Sequence, residues 1–315
     1  TIAGTLEDLA ATGDLDIAGD LLIQGSGAAS TVVDGGQLDQ VFQIIGTSDV
    51  TVSGLTIQDG NAAGWVDPSG NRHGPMGGAI LNPAGSVTVS DSVFAGNQSP
   101  EDAGAIYNNG QLTIERSQLR DNQIVDFGNG GAIVNDANGV LTISDSQFED
   151  NSTSDAGGEG GAIAAFGGTV SIDGSEFDNN IADGGGAIFS DAPSLTVSNS
   201  TFRGNQALQS QSTSGGGGAI YSTGSLALSN DVFDGNYSGQ SGGAVYARGG
   251  LTVDTVWFAN NQGVIGGALR GNGDISNVTF SHNWVEPYEG NSQGGAMSGG
   301  GTLTNVTFSD NWAIL

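Results

Sequence analysis

A tripeptide of Gly, Ala and one further apolar residue recurs nine times at intervals of 24 to 32 residues, and each copy is answered 12 to 16 residues later by Phe-x-x-Asn or, once, Leu-x-x-Asn. The alanines are Ala79, Ala105, Ala132, Ala162, Ala187, Ala219, Ala244, Ala268 and Ala296. The answering asparagines are Asn97, Asn122, Asn151, Asn180, Asn205, Asn236, Asn261, Asn283 and Asn311. Phe94, Phe148, Phe177, Phe202, Phe233, Phe258, Phe280 and Phe308 precede all but one of them, so eight of the chain's twelve phenylalanines fall at one repeat position. A fixed period of this length marks a solenoid, in which each unit buries its apolar face only against its neighbours.

Between the two beats runs a short alternation, as in Val87-Thr88-Val89-Ser90, Leu112-Thr113-Ile114-Glu115 and Leu195-Thr196-Val197-Ser198. Apolar residues alternating with Thr, Ser or acids form the period-two pattern of a half-buried strand. Helical spacing is absent, and 56 glycines would weaken helices in any case. Each unit therefore reads as three short strands joined by bends, through Gly-Ala-Ile, Leu-Thr-Ile and Ser-x-Phe. The fold class this predicts is all-β: a right-handed parallel β-helix of about 11 coils, one domain over residues 1–315. Residues 1–57 follow a looser form of the rhythm, with Ile57 in the Phe slot, and 58–315 hold the nine regular repeats. Like strands lie about 4.8 Å apart, which gives a rod on the order of 50 Å long. Inside it, Phe is expected over Phe and Ile over Ile. The bend Asn is expected to hydrogen-bond from coil to coil. Ser92, Ser117, Ser146, Ser175 and Ser200, two residues before the Phe slot, are expected to form an internal serine stack.

The paired Gly-Gly-Ala-Ile and Phe-x-x-Asn motifs resemble the repeat of chlamydial polymorphic outer-membrane proteins. The opening stretch, from Gly13-Asp14-Leu15-Asp16-Ile17 to Thr31-Val32-Val33-Asp34-Gly35-Gly36, is similar to that of large secreted β-helix proteins of environmental bacteria. The resemblance spans essentially the whole chain. It implies the β-helix fold and an adhesin-like, secreted or surface-displayed protein.

Composition points the same way. Acidic residues number 34, of which 26 are Asp, against six arginines and no lysine, for a net charge of −28. Such a surface repels nucleic acid and anionic membranes, so neither is expected as a partner. The absence of cysteine excludes disulfides and thiolate metal sites. No apolar run is long enough to span a bilayer, so membrane insertion is not expected. The chain opens at Thr1 with no leader pattern and is expected to be a processed or trimmed segment of a longer protein. No cofactor is expected, and calcium is the one alternative that the clustered Asp residues admit. Asp14, Asp16 and Asp20 are closely spaced, and Asp145, Asp150 and Asp155 are expected around one bend, although a dedicated site needs about six to eight converging oxygens. Neither an EF-hand loop nor a nonapeptide calcium repeat is present.

The stretch between the bend Asn and the next Gly-Ala beat varies in length, whereas the stretch from Ala to Phe is nearly constant. Insertions therefore emerge along one edge of the rod, where repeat proteins carry binding loops. The longest are 61–76, 206–216 and 284–293, with shorter ones at 123–129 and 152–159. The first holds Trp65, Asp67, Arg72 and His73; the third holds Trp284, Glu286, Tyr288 and Glu289, with His282 beside it. Rings to stack on a sugar and charged groups for proton transfer are the components of a saccharide site. Trp65, Arg72, Trp284, Tyr288 and Trp312 are the candidate binding residues. Glu286, Glu289, His73 and Asp67 are the candidate catalytic residues if the protein is an enzyme. The same groups in a surface loop are also consistent with simple solvation. Tyr237, Trp284 and Trp312 each follow a bend Asn, the last two in adjacent coils, which predicts a short aromatic column near the C-terminal end that meets a sugar or another protein, or merely covers the last coils.

The expected function is that of an extracellular or cell-surface structural or adhesive protein. Its expected partners are surface glycans or other protein chains, the latter through open helix ends. The last coil stops at Asn311-Trp312-Ala313-Ile314-Leu315 without a polar cap, so end-to-end assembly into a fibre is part of this expectation. The rival is a carbohydrate-active enzyme, a polysaccharide lyase or glycoside hydrolase, with its site on the loop-rich edge. Lyases on β-helices use a Lys or Arg base. Lysine is absent here, and Arg248 and Arg270, which follow consecutive Gly-Ala beats, are the arginines expected to be neighbours.

Overall fold

The computed structural model describes residues 14–62, 64–66, 72–153, 157–208, 216–285 and 293–313. These wind as a right-handed parallel β-helix of three 11-stranded sheets, accompanied by a fourth sheet of nine strands. One coil runs through Ile106–Asn108 in the first sheet, Gln111–Glu115 in the second, Gln118–Arg120 in the third and Gln123–Ile124 in the fourth. Neighbouring coils pair in register, Ile80 on Ile106 on Ile133 and Leu119 on Phe148. The looser N-terminal coils obey the same register, with Phe42 opposite Ile80 and Ile57 opposite Phe94. Three sheets match the sequence pattern. The fourth was not anticipated, because its strands are two residues long and two residues cannot display an alternation.

The interior is built from the repeat positions. From Phe148 to Phe308 the rings stack with centroids 4.7 to 5.1 Å apart and planes within 13° of parallel. Phe280 is 0% exposed, whereas Phe308, in the last described coil, is 49% exposed. Coverage by the next coil is thus what removes a phenyl ring from water, a gain of roughly 1.5–3 kcal/mol per ring.

The bend asparagines form a continuous polar spine inside this apolar stack. Asn97 Nδ2 donates to Asn122 Oδ1 at 3.0 Å, the Asn97 backbone N–H donates to the same oxygen at 3.1 Å, and Nδ2 also reaches the Ile57 carbonyl at 3.2 Å. Each side chain therefore ties together three coils, and the pattern continues to Asn311. Serine follows a similar logic: the Ser117 N–H donates to Ser146 Oγ at 3.1 Å, and that hydroxyl donates to the Ser144 carbonyl at 2.7 Å. A second asparagine ladder, Asn82 to Asn108 to Asn135 at 2.8 Å per step, closes the end of the first strand.

The corners explain the glycine and much of the acid. A Cβ on Gly104, Gly131 or Gly161 would lie 2.0 to 2.2 Å from the carbonyl oxygen of the equivalent glycine one coil on. The Gly of the Gly-Ala beat is therefore fixed by close backbone approach. Elsewhere the chain turns through left-handed residues, with Asp91, Asp145, Asn199 and Asn277 after the second strand, and Asp59, Asp121, Asp150 and Asn260 after the third. Asp and Asn enter this region more readily than other side chains, so part of the net negative charge has a conformational origin. Asp145 and Asp150, expected around one bend, sit at two successive corners, and Asp155 lies outside the described residues.

Candidate functional site

The loop-bearing edge follows the fourth sheet. Its first long insertion contains an antiparallel pair of strands, Gly64–Val66 and Arg72–Pro75, in which Trp65 lies opposite His73 and Val66 opposite Arg72. Three of the four residues singled out in that loop are thus brought together on paired backbone. Asp67, Glu286, Tyr288 and Glu289 lie outside the described residues. Trp284 and Trp312 pair in register in the fourth sheet, their rings 5.1 Å apart and 10° from parallel. Gln262 separates Tyr237 from them, so the aromatic column is the pair in adjacent coils. Each indole thus covers one face of the other. His282, at a left-handed corner, has Nε2 3.9 Å from Asp310 Oδ2.

The N-terminal aspartates take separate roles, although Asp16 and Asp39 lie near enough to Asp14 to act on its charge. Asp14 is buried and accepts a hydrogen bond from Gln40 Nε2 at 2.8 Å; burial pushes its carboxyl up to about 7. Asp20 accepts the Asp49 N–H at 2.9 Å, and Asp16 lies in the strand Leu15–Ile17. Among the described residues no group of three or more His, Cys, Asp or Glu side chains is placed to hold a metal.

Two places, one on the loop edge and one on the first sheet, combine a pocket with an aromatic side chain. One is an open pocket of about 520 Å³ between successive loops, lined by Glu101, Asp102, Asp126, Phe127 and Asn129. Phe127 is 77% exposed. Asp102 Oδ1 accepts from the Asn129 N–H at 2.9 Å and from Asn129 Nδ2 at 3.1 Å, which locks one loop to the next; burial raises the Asp102 carboxyl above its usual range. The sequence marked 123–129 as an insertion but gave no weight to Phe127, because a single exposed ring has no repeat partner.

The other lies on the outer face of the first sheet. Residues two positions after the beat alanine stack outward in register, including Phe189 on Tyr221, Tyr221 on Tyr246 and Tyr246 on Arg270. Loop residues fold over part of this face: Ala103 packs with Val134, Ala164, Tyr107 and Phe166. Ring centroids step from Phe166 to Phe189 at 5.9 Å, to Tyr221 at 5.3 Å and to Tyr246 at 5.3 Å. The Arg270 guanidinium sits over the Tyr246 ring at 4.7 Å, and Arg248 Nη1 donates to the Tyr221 hydroxyl at 3.2 Å. Burial raises the Tyr221 phenol further, so it stays neutral beside that guanidinium. The column ends at a pocket of about 350 Å³ lined by Tyr246, Arg248, Arg270, Asn272 and Ser298 among others. This column was legible in principle. Tyr107, Phe189, Tyr221, Tyr246 and Arg270 all hold one repeat slot, hidden beside the more regular Ile.

The model of the family described as right-handed beta helix region matches residues 35–159 and 132–313. No curated protein and no solved structure matches the chain.

Proposed function

From the premise that this chain belongs to the right-handed β-helix family, we propose that it is an extracellular or cell-surface adhesive protein that holds glycan along its loop-bearing edge. The observation that carries the reading is the pocket beneath Phe127. An exposed ring offers a flat face to the apolar side of a sugar, and Glu101, Asp126 and Asn129 around it offer acceptors and donors to hydroxyls. The likeness of the repeats to polymorphic outer-membrane proteins supports surface display, as does the net charge of −28. The fold adds to this support: the interior polar side chains serve coil-to-coil bonding, while chain length varies at one edge.

The test is a glycan array probed with the intact chain and with Phe127→Ala. Loss of binding by tenfold or more, with an unchanged melting temperature, is the expected result; array binding indifferent to Phe127 overturns the assignment of the pocket. A second reading, a carbohydrate-active enzyme, draws on the hairpin that sets Trp65 opposite His73 beside Arg72. It requires release of reducing ends or unsaturated products from a polysaccharide panel, abolished by Glu286→Gln, Glu289→Gln or His73→Ala.

A further inference from the structure

The arginine pocket on the first sheet has a chemistry different from that of the loop edge. In a chain with 34 acidic side chains, a guanidinium readily finds a carboxylate. Arg116 does so with both oxygens of Asp91 at 3.0 Å and with Glu115 at 3.2 Å, and Arg120 does so with Asp121 at 2.9 Å. Among the described residues, Arg248 and Arg270 make no ion pair. Arg270 is held by the Tyr246 ring and by Ser241 Oγ, to which Nη1 donates at 2.5 Å. Arg248 is held by the Tyr221 hydroxyl. These partners are neutral: they fix the position of each guanidinium and leave its charge uncancelled. Asp191, an acid that acts on Arg248 through space, makes no ion pair with it and accepts a hydrogen bond from Thr223 at 2.7 Å.

A planar guanidinium stacked on a ring has already given up much of its rotamer freedom, and its free N–H groups form a fork that matches a carboxylate or sulfate. Arg270, stacked in this way, and Arg248, tethered through Nη1 to the Tyr221 hydroxyl, border one open pocket, of a volume at the small end of ligand sites, which run from about 300 to 1,000 Å³. Asn272 and Ser298 bring neutral polar groups to the same space. Gly271 and Gly299 line it too, and a Cβ on Gly299 would lie 1.8 Å from the Gly271 carbonyl, so this wall is bare backbone by necessity.

We propose that this pocket binds the oxyanion of an acidic saccharide, a uronate carboxylate or a sulfate ester, between Arg248 and Arg270, with Asn272 and Ser298 meeting its hydroxyls. The choice of a saccharide as carrier rests on the glycan-adhesion reading above; the oxyanion follows from the side chains alone. The overall negative field repels free anions at long range and is screened beyond about 10 Å at 0.1 M salt. Occupancy therefore depends on short-range contacts, which makes the site selective rather than a general anion trap.

The experiment is calorimetric titration of the intact chain with a uronate disaccharide, a sulfated disaccharide and their neutral parent. The expected result is that one acidic form binds at least tenfold more tightly than the parent, and that the stronger of the two identifies the oxyanion. Arg248→Gln and Arg270→Gln should each weaken it tenfold or more, Arg270→Lys should fail to restore it, and Arg116→Gln should change nothing. Unchanged melting temperatures show that the variants fold. Equal binding of acidic and neutral forms, or acidic binding indifferent to both arginines, overturns the proposal. If neutral glycan binds through Phe127 while the arginine variants are silent, adhesion stands and this pocket falls. Arginine-dependent binding with no effect of Phe127→Ala has the opposite meaning, and no saccharide binding at all removes both.

Discussion

The Ser200 N–H donates to Asp231 Oδ1 at 2.8 Å, and at this contact the serine ladder ends. Asp231 occupies the slot that serine holds in the five coils before it and valine in the three after it. Its other oxygen accepts the Ser229 N–H at 2.9 Å. The side chain is 1% exposed, and burial pushes its carboxyl up to about 7. Between the ordinary carboxylate value near 3.8 and about 7, the native chain therefore keeps a proton that the unfolded chain has released. Native binds more protons than unfolded, so stability is fully present below pH 3.8 and is lost as pH rises through about 7. Chemical denaturation is expected to show stability falling across this window and flat above it. Asp14, buried with the same upward shift, acts in the same window. Asp231→Ser extends the hydroxyl ladder by one coil, and is expected to raise stability at pH 8 by roughly 1–3 kcal/mol with little effect at pH 4. A variant with an undiminished pH slope would show that general charge repulsion, not Asp231, sets the dependence.

The asparagine spine makes a sharper demand. Asn180 Nδ2 donates to the Phe148 carbonyl at 2.9 Å and to Asn205 Oδ1 at 3.0 Å, while its Oδ1 accepts from the Asn151 N–H at 3.1 Å and Asn151 Nδ2 at 3.0 Å. Asn180→Ala leaves all of these buried partners short of a bond, and the expected cost is on the order of 3–5 kcal/mol. Asn180→Asp is expected to be no better, because a carboxylate cannot donate and its charge would be buried. Hydrogen exchange should show protection lost first in the coils on either side of the break, since a solenoid couples only neighbours. Uniform loss along the rod would contradict that picture.

What the sequence made legible was whatever repeats at full strength. Phe, Ile, the bend Asn and the serine stack occupy interior positions where every coil faces the same neighbour, so one residue type is selected again and again. Outward-facing positions lack that pressure, although several of them, such as Leu81, Val134, Phe189 and Tyr221, are buried. The outward slot of the first strand runs Leu81, Tyr107, Val134, Ala164, Phe189, Tyr221, Tyr246 and Arg270, a series with no constant residue, and its aromatic column emerges only once register sets the rings together. The fourth sheet escaped for another reason: two-residue strands have no period. Arg248 and Arg270 were readable as neighbours from their shared relation to the beat. That each is held by a neutral partner depends on Tyr221, Tyr246 and Ser241, which lie 24 or more positions from the arginine they hold.

The phenylalanine column predicts a graded response. Phe202 is covered on both sides, by Phe177 at 4.7 Å and Phe233 at 4.8 Å. Phe202→Ala is expected to cost about 3–5 kcal/mol, and Phe202→Leu, which the chain itself uses at Leu119, clearly less. Phe308, with half its surface exposed, is expected to cost about half as much on truncation as Phe202. Denaturation midpoints measured on the three variants would order them Phe202→Ala, Phe308→Ala, Phe202→Leu. Equal losses at Phe202 and Phe308 would mean that stacking contributes little.

Glycines at two corners should separate close approach from backbone strain. Gly131 precedes a beat alanine; a Cβ there would meet the Gly161 carbonyl oxygen at 2.1 Å and the Ser152 nitrogen at 2.6 Å. Both contacts are backbone of the next coil, so neither moves without breaking the register on which every sheet depends. Gly235 is the converse case. It turns the corner after the third strand at φ 67°, and a Cβ there would meet nothing within 4 Å. Ala at Gly235 therefore carries only the left-handed penalty of about 1–2 kcal/mol. Asn should carry less, since Asn260 already holds the same corner one coil later at φ 53°. Gly131→Ala is expected to leave little folded protein at 25 °C, Gly235→Ala to lower the melting temperature by a few degrees, and Gly235→Asn to lie close to the parent. If Gly131→Ala instead melts like Gly235→Ala, the coils can spread locally, and the Gly-Ala beat is a preference of sequence rather than a steric requirement of the stack.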